Sequence, residues 1–157
     1  MERILSLLLC AGLLGCATPY QNMGFRGGVA AEQITADVYR IKSRGNGYTA
    51  QSTVQDYALL KAAETAKSVG ASHFQLISAD DASKQSIVTT PGTASTSVVG
   101  NTAFTTYSPG STEVVIKPGQ DAYVRVLRLA NGQSPPPGAL SADEIIRYIG
   151  GRVQRSS

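Results

Sequence analysis

The sequence predicts an α+β fold in which a small mixed sheet of about four strands packs two helices on one face. Two observations carry the prediction: residues 36–43 alternate as a half-buried strand does, and residues 53–69 repeat apolar side chains at helical spacing. A length of 157 residues suits one ordinary domain. We therefore expect a single α+β domain over residues 32–153, followed by a polar tail at 154–157.

The first predicted strand, residues 36–43, has a basic face. Successive side chains on a strand point to opposite faces of the sheet. One face therefore carries Ala36, Val38, Arg40, Lys42 and, just beyond the strand, Arg44. The strand runs into Arg44-Gly45-Asn46-Gly47, where the Asn-Gly pair predicts a turn.

The segment 53–69 (TVQDYALLKAAETAKSV) is the clearest element and predicts an amphipathic helix. Ser52 or Thr53 is expected to cap its start, and Gly70 suits a left-handed stop at its end. Its main apolar side consists of Val54, Ala58, Leu59, Ala62, Ala66 and Val69. Tyr57 and Leu60 fall on another side, which predicts a second packing contact.

The elements after this helix are less uniform in quality. Residues 72–79 predict a strand, and a strand–helix–strand unit of this size suits two parallel strands. Residues 112–117 and 122–130 predict an antiparallel pair joined at 118–121. A capping box at Ser141 and Glu144 opens a predicted short helix over residues 142–149.

Between these strands lies a segment of low complexity, residues 83–112. Fourteen of its thirty residues are Ser or Thr, and Lys84 is its single charged residue. Such a composition predicts either a mobile loop or a poorly packed hairpin.

The first residues of the chain predict where in the cell the protein is located. An eleven-residue apolar run, Ile4–Leu14, is too short to span a bilayer and suits the h-region of a signal peptide. It ends in Leu13-Leu14-Gly15-Cys16, which resembles the bacterial lipobox. We expect residues 1–15 to be a cleaved lipoprotein signal peptide and Cys16 to carry the lipid. The alternatives are an ordinary signal peptide cleaved nearby, or a buried helix with an incidental cysteine.

The expected lipid has consequences for location. In the sorting rule of bacterial lipoproteins, Asp directly after the cysteine retains a protein at the inner membrane. Ala17 stands there instead, so we expect the outer membrane, with the protein facing the periplasm. Residues 16–31 are rich in glycine and small side chains without periodicity, which predicts a lipidated flexible tether.

Several local patterns together resemble a family of small proteobacterial envelope lipoproteins that has no assigned function. The most specific are Arg44–Thr49 (RGNGYT) and the helical Asp56–Glu64 (DYALLKAAE), with Pro19-Tyr20-Gln21 and Gly27-Gly28 before them. The resemblance implies an acylated cysteine and a compact α+β domain, and it supplies no catalytic residues. The Ser/Thr-rich middle segment departs from the family pattern.

The composition disfavours several classes of function. A net charge of +3 is too small to argue for nucleic acid, and one His with two Cys cannot form the usual four-ligand zinc site. No G-x-S-x-G nucleophile motif occurs. Ser72 and His73 are adjacent, and neighbouring strand residues point to opposite faces, so we expect that they cannot meet as nucleophile and base. We therefore expect a protein that is not an enzyme, with no cofactor, no metal site and no nucleic-acid partner.

The basic strand face is the candidate binding site. Arg40, Lys42 and Arg44, together with the turn Gly45, Asn46 and Gly47, could bind an anion such as a lipid headgroup, peptidoglycan or an acidic protein. The competing interpretation is a solvated edge strand that uses charge to prevent aggregation, followed by a tight turn whose glycines supply positive φ.

We expect a membrane-anchored envelope lipoprotein that acts as an interaction or structural module at the outer membrane. Its expected contacts are the membrane, through the N-terminal lipid, and an envelope protein. The alternative is a binding or sensing module for an anionic envelope ligand through the basic strand face.

Overall fold

The computed structural model describes residues 16–156 and divides the chain into two compact units. One unit comprises the described residues up to Lys84 and from Lys117 onward; the other is Gln85–Ile116, here called the β-arm. The predicted signal peptide, residues 1–15, lies outside the described residues.

The first unit is an antiparallel sheet with two helices. Its elements are β1 (Gly28–Gln33), β2 (Val38–Arg44), α1 (Gln51–Ser68), β3 (His73–Asp81), β8 (Gly119–Leu127), β9 (Ala139–Ser141) and α2 (Ala142–Gly150). The four strands numbered between β3 and β8 lie within Lys84–Lys117. The five strands lie in the order β1-β2-β8-β3-β9, and every pair is antiparallel. The expectation of a mixed sheet of about four strands is therefore wrong in both respects.

The predicted strand–helix–strand unit is present, but its strands are not neighbours. Both β2 and β3 pair antiparallel with β8, so they run in the same direction with β8 between them. Strand β8, which comes later in the chain, therefore lies between β2 and β3 and prevents them from pairing directly with each other.

The predicted alternation of β2 is confirmed. Tyr39, Ile41 and Ser43 are buried, while Arg40 and Lys42 on the other face are half-buried. Because β2 lies between β1 and β8, it is not the edge strand that the sequence suggested.

Helix α1 packs through two sides. Four alanines, Ala58, Ala62, Ala63 and Ala66, join the core cluster that also holds Ile41, Phe74 and Val124. Tyr57 and Leu60 join a second cluster with Tyr20, Val29 and Ile149, so the predicted second contact is confirmed. Small side chains let the helix approach the sheet closely, and the larger ones bind it to the N-terminal segment and to α2.

The helix termini test the predicted caps. Ala50 is the N-cap of α1 and no side chain caps it, so the expected cap at Ser52 or Thr53 is wrong. At α2 the prediction is confirmed, because Ser141 Oγ accepts a hydrogen bond from the Glu144 backbone N–H at 3.4 Å. Gly70 has φ of +74°, the left-handed conformation expected after α1.

Residues 83–112, for which the sequence predicts a mobile loop or a poorly packed hairpin, contain most of four further strands. They are β4 (Lys84–Thr90), β5 (Thr93–Val99), β6 (Thr102–Ser108) and β7 (Ser111–Lys117), paired as β4–β7 and β5–β6. Their many Thr and Val residues favour extended backbone. Gly100, with φ of +64°, lies in the turn between β5 and β6.

Candidate functional site

The residues that follow Cys16 are packed against the first unit, so the expected flexible tether is wrong. Thr18 is 1% exposed, and its backbone N–H donates to Thr49 Oγ1 at 2.9 Å. Its carbonyl oxygen accepts a hydrogen bond from the Tyr57 hydroxyl at 3.0 Å. The packing of this segment could not be predicted from its sequence, which has no periodic pattern and whose partners lie 31 and 39 residues away.

Tyr20 extends the same contact along α1. Its hydroxyl donates to Glu64, and the Arg155 guanidinium lies over its ring, 5.0 Å from the centroid. Burial, together with the bond to Glu64, raises the pKa of the Tyr20 hydroxyl. The predicted polar tail takes part as well, since Tyr20 N donates to the Gln154 carbonyl and Ser156 N donates to the Tyr20 carbonyl.

The predicted lipidation residue lies at the start of this docked segment. Cys16 is exposed, and its carbonyl oxygen accepts a hydrogen bond of 2.7 Å from Asn46 Nδ2. Asn46 also donates its backbone N–H to Thr18 Oγ1 at 3.0 Å. The turn after β2 therefore holds the chain at and just after Cys16.

Polar groups of the turn Gly45, Asn46 and Gly47 form hydrogen bonds with other residues of the same chain. Gly45 N donates to the Pro118 carbonyl, and Tyr48 N donates to Asn46 Oδ1. Neither glycine of the turn has positive φ, which corrects the expected reason for their presence. Gly45 is required for close approach instead, since a Cβ there would lie 2.7 Å from Thr49 Cβ and 3.1 Å from Pro118 Cγ.

The three cations of β2 point to one face of the sheet, as predicted, and each one meets a carboxylate. Arg40 pairs with Glu32 on β1, and Lys42 Nζ lies 2.6 Å from the other oxygen of the same carboxylate. Arg44 Nη1 lies 2.7 Å from Asp121 Oδ1 on β8. Hydrogen bonds from Lys42 and from Arg40 lower the pKa of Glu32. Each of the three cations is therefore paired within the chain, although the two carboxylates neutralise only two of the three positive charges.

The partner Glu32 was not identified from the sequence, although a signal for it exists. The β1–β2 register places Glu32 directly opposite Arg40. Thr35 and Asp37 form the turn between the strands, with Val38 N donating to Thr35 Oγ1. Folding the sequence back at this turn would have paired the acidic residue with the basic face.

Ser72 and His73 contact each other, which corrects the expectation that they cannot. Ser72 Oγ lies 2.9 Å from His73 Nδ1. Ser72 precedes β3, so the alternation of strand side chains does not apply to it. Because Ser72 and His73 are adjacent in the chain, their contact does not by itself indicate a catalytic site. Separately, residues 16–156 contain no group of three or more His, Cys, Asp and Glu side chains that could hold a metal ion.

The β-arm presents the largest set of exposed apolar side chains in either unit. Glu113 is its single charged residue between Gln85 and Ile116. Eight large apolar side chains are at least half exposed: Ile87, Val88, Val98, Val99, Phe104, Tyr107, Val114 and Ile116. Each two-stranded ladder also has two unpaired edges, which are templates for pairing with another chain.

A small apolar cavity of about 240 Å³ lies between α1 and the sheet. Ala58 and Ala62 line it from the helix, and Leu76 and Ala79 line it from β3. The register of β3 against β8 shifts between Leu76 and Ser78, a β-bulge that increases the local twist of the strand beside the cavity.

Comparison of the chain with protein families, curated proteins and solved structures finds no match. Among residues 16–156 no helix combines the length and the apolar character needed to cross a bilayer. The resemblance to envelope lipoproteins therefore stays a prediction from the sequence.

Proposed function

We propose that this protein is a lipid-anchored interaction module of the bacterial envelope, acylated at Cys16 and attached to the outer membrane on its periplasmic side. In this proposal the β-arm is the surface that contacts an envelope protein. The first unit connects the arm to the lipid anchor, and the protein performs no catalysis.

The exposed apolar surface of the β-arm is the observation that carries the proposal. Exposed apolar patches and unprotected strand edges favour association with another protein. Proteins usually protect such edges with charged side chains, and Glu113 is the one charged residue of the arm. A partner that adds a strand to the arm would satisfy its edge, and its side chains would lie beside Phe104 on one face of the ladder and Tyr107 on the other.

The lipobox and the exposure of Cys16 support the anchor. One acyl chain gives marginal membrane binding, whereas two or three chains give a durable attachment. Confinement to the membrane surface raises the effective concentration of the arm near other envelope proteins. An interaction too weak to persist in solution would then be sufficient.

The alternative function, recognition of an anion by Arg40, Lys42 and Arg44, has less support. These three cations already form salt bridges with Glu32 and Asp121. A ligand would have to displace both carboxylates, so we base the proposal on the β-arm.

The test replaces the β-arm by a short Gly-Ser turn between Lys84 and Lys117. Ala82 N donates to the Gly119 carbonyl at 3.0 Å, so the chain positions flanking this replacement are already close together. Parent and variant would be crosslinked in intact cells, purified through a tag and compared by mass spectrometry. We expect one envelope protein to be captured by the parent and lost from the arm-deleted variant.

Two controls make this result specific. The double variant Phe104→Ser/Tyr107→Ser leaves the chain length unchanged and should also lose the captured protein. Tyr148→Ser, at an exposed position on α2, should retain it. Equal capture by the parent and the arm-deleted variant would contradict the proposed role of the arm, and absence of an acyl group on Cys16 would contradict the proposed anchor.

A further inference from the structure

Three segments of the first unit converge on Thr18. Thr18 Oγ1 donates to the Arg26 carbonyl at 3.0 Å and accepts from Asn46 N at the same distance. Asn46 in turn holds the carbonyl of Cys16 and the backbone N–H of Tyr48. One end of the unit therefore carries Cys16, the Arg26 hairpin and the Tyr48 turn.

The distance from Cys16 to this end is short. Two residues of fully extended chain span at most about 7 Å, and Thr18 is buried two residues after Cys16. A lipid on Cys16 would therefore hold this end of the unit directly at the bilayer surface, with no spacer between them.

Two aromatic side chains at this end are fully or largely exposed. Phe25 is at the tip of the tight hairpin closed by Gly24 and Gly27, which exchange backbone hydrogen bonds of 3.0 and 3.1 Å. Phe25 is 108% exposed and Tyr48 is 78% exposed, so neither supplies packing energy to the fold. Tyr is enriched in the headgroup region of membranes, and Phe is among the apolar residues that membrane-surface segments bury at the boundary between headgroups and acyl chains.

The two segments that carry Phe25 and Tyr48 have a charge that suits the same surface, and Asp56, which lines a pocket with Ala17, is paired with Arg152. Residues 16–31 and 45–55 contain no Asp or Glu, and Arg26 is exposed beside Phe25. A cation at this position would approach lipid phosphates, and no carboxylate of these two segments would be repelled by them.

We propose that the end of the first unit around Thr18 rests on the lipid bilayer, with Phe25 and Tyr48 in the headgroup region and Arg26 against lipid phosphates. The inference rests on the proposed acylation of Cys16 and adds an orientation to it. The lipid and the two aromatic side chains then form three points of attachment, which hold the unit at a defined angle to the membrane.

The absence of tryptophan from the chain allows a direct test. Phe25→Trp and Ile34→Trp would each introduce a single fluorophore, at the hairpin tip in the first variant and at an exposed position at the opposite end of the β1–β2 pair in the second. Each acylated full-length protein, purified from membranes, would be reconstituted into vesicles of phosphatidylethanolamine and phosphatidylglycerol with brominated acyl chains. We expect the hairpin-tip tryptophan to lose roughly half of its emission to the brominated lipid and to be blue-shifted, with the tryptophan at position 34 unaffected.

Each other outcome overturns the inference in a recognisable way. Acylated protein with the tryptophan unquenched in both variants would reject the orientation and leave the proposed anchor intact. A hairpin-tip tryptophan shielded from aqueous acrylamide but not quenched by brominated lipid would mean that a protein, such as a second copy of the chain, covers the tip. Protein without an acyl group on Cys16 by mass spectrometry would reject both the orientation and the anchor.

Discussion

The ring of Tyr20 meets the ring of Tyr57 edge to face, with their centroids 5.3 Å apart and their planes at 79°. This contact joins the N-terminal segment to the centre of α1. Both rings belong to the cluster that also contains Leu60 and Ile149. The segment after Cys16 is therefore part of the hydrophobic core of the first unit.

Tyr20→Ala should destabilise the protein by about 3 kcal/mol or more, because a buried aromatic ring is lost and a cavity remains. Tyr20→Phe should cost about 1 kcal/mol, since it removes only the hydrogen bond to Glu64. Urea unfolding followed by circular dichroism measures both values. Tyr148→Ala, at an exposed position, is the control, and equal stability of the parent and Tyr20→Ala would show that the segment is not docked.

Gly45→Ala should cost about 1–3 kcal/mol through overpacking against Thr49 and Pro118. The effect is steric, because the φ of Gly45 is not positive. Gly24→Ala is the matched control: its Cβ would have no neighbour closer than 3.9 Å, and we expect a change within about 0.5 kcal/mol. Thermal unfolding of the two variants in parallel decides the point, and similar melting temperatures would refute the close approach.

Glu32 should make the protein less stable in acid. Lys42 and Arg40 lower its pKa in the folded state from the ordinary value of 4.5, so the folded protein favours the ionised carboxylate. This contribution is complete above pH 4.5 and is lost as the pH falls below that value towards the lowered pKa. Glu32→Gln should therefore flatten the decline of stability in this range.

Denaturant unfolding at several pH values between neutral and acidic measures the Glu32 effect. Glu113→Gln, at an exposed position of the β-arm, should follow the parent curve. A Glu32→Gln curve that is parallel to the parent at every pH would show that the pairs with Arg40 and Lys42 do not stabilise the fold.

Ser141→Ala should cost about 1 kcal/mol, because the N-cap hydrogen bond to Glu144 is lost at the start of α2. Ser52→Ala supplies the contrast, since no side chain caps α1 and we expect little change there. If chemical denaturation gave similar losses for the two variants, the difference between these helix starts would be in doubt.

Local sequence patterns predicted the features that depend on residues a few positions apart, such as the faces of a strand and the cap of a helix. The alternation of β2 placed Ile41 inside and Arg40 outside, and both placements agree with the structure. The capping box at Ser141 acts over three residues and was recognised for that reason. The failed cap at α1 shows the limit of this reasoning, because several residues near Ala50 could start the helix equally well.

Contacts between distant residues were missed. Thr18 and Tyr20 have no periodic neighbours, so their burial was invisible until α1 and the turn after β2 were placed beside them. The match between Glu32 and the basic face required the β1–β2 register. Likewise, the four short strands at residues 84–117 share a composition that does not distinguish strand from loop.

The sequence by itself determined the two helices, the strands β2, β3, β7 and β8, the apolar faces of α1 and β2, and the expectation of a lipid at Cys16, because these depend on spacing along a short stretch of chain. The tertiary structure decided the strand order, the docking of Thr18 and Tyr20, and the pairing of Arg40, Lys42 and Arg44. Those features join residues that are far apart in the chain, and their free energy arises from burial and charge pairing that exist only after the sheet has assembled.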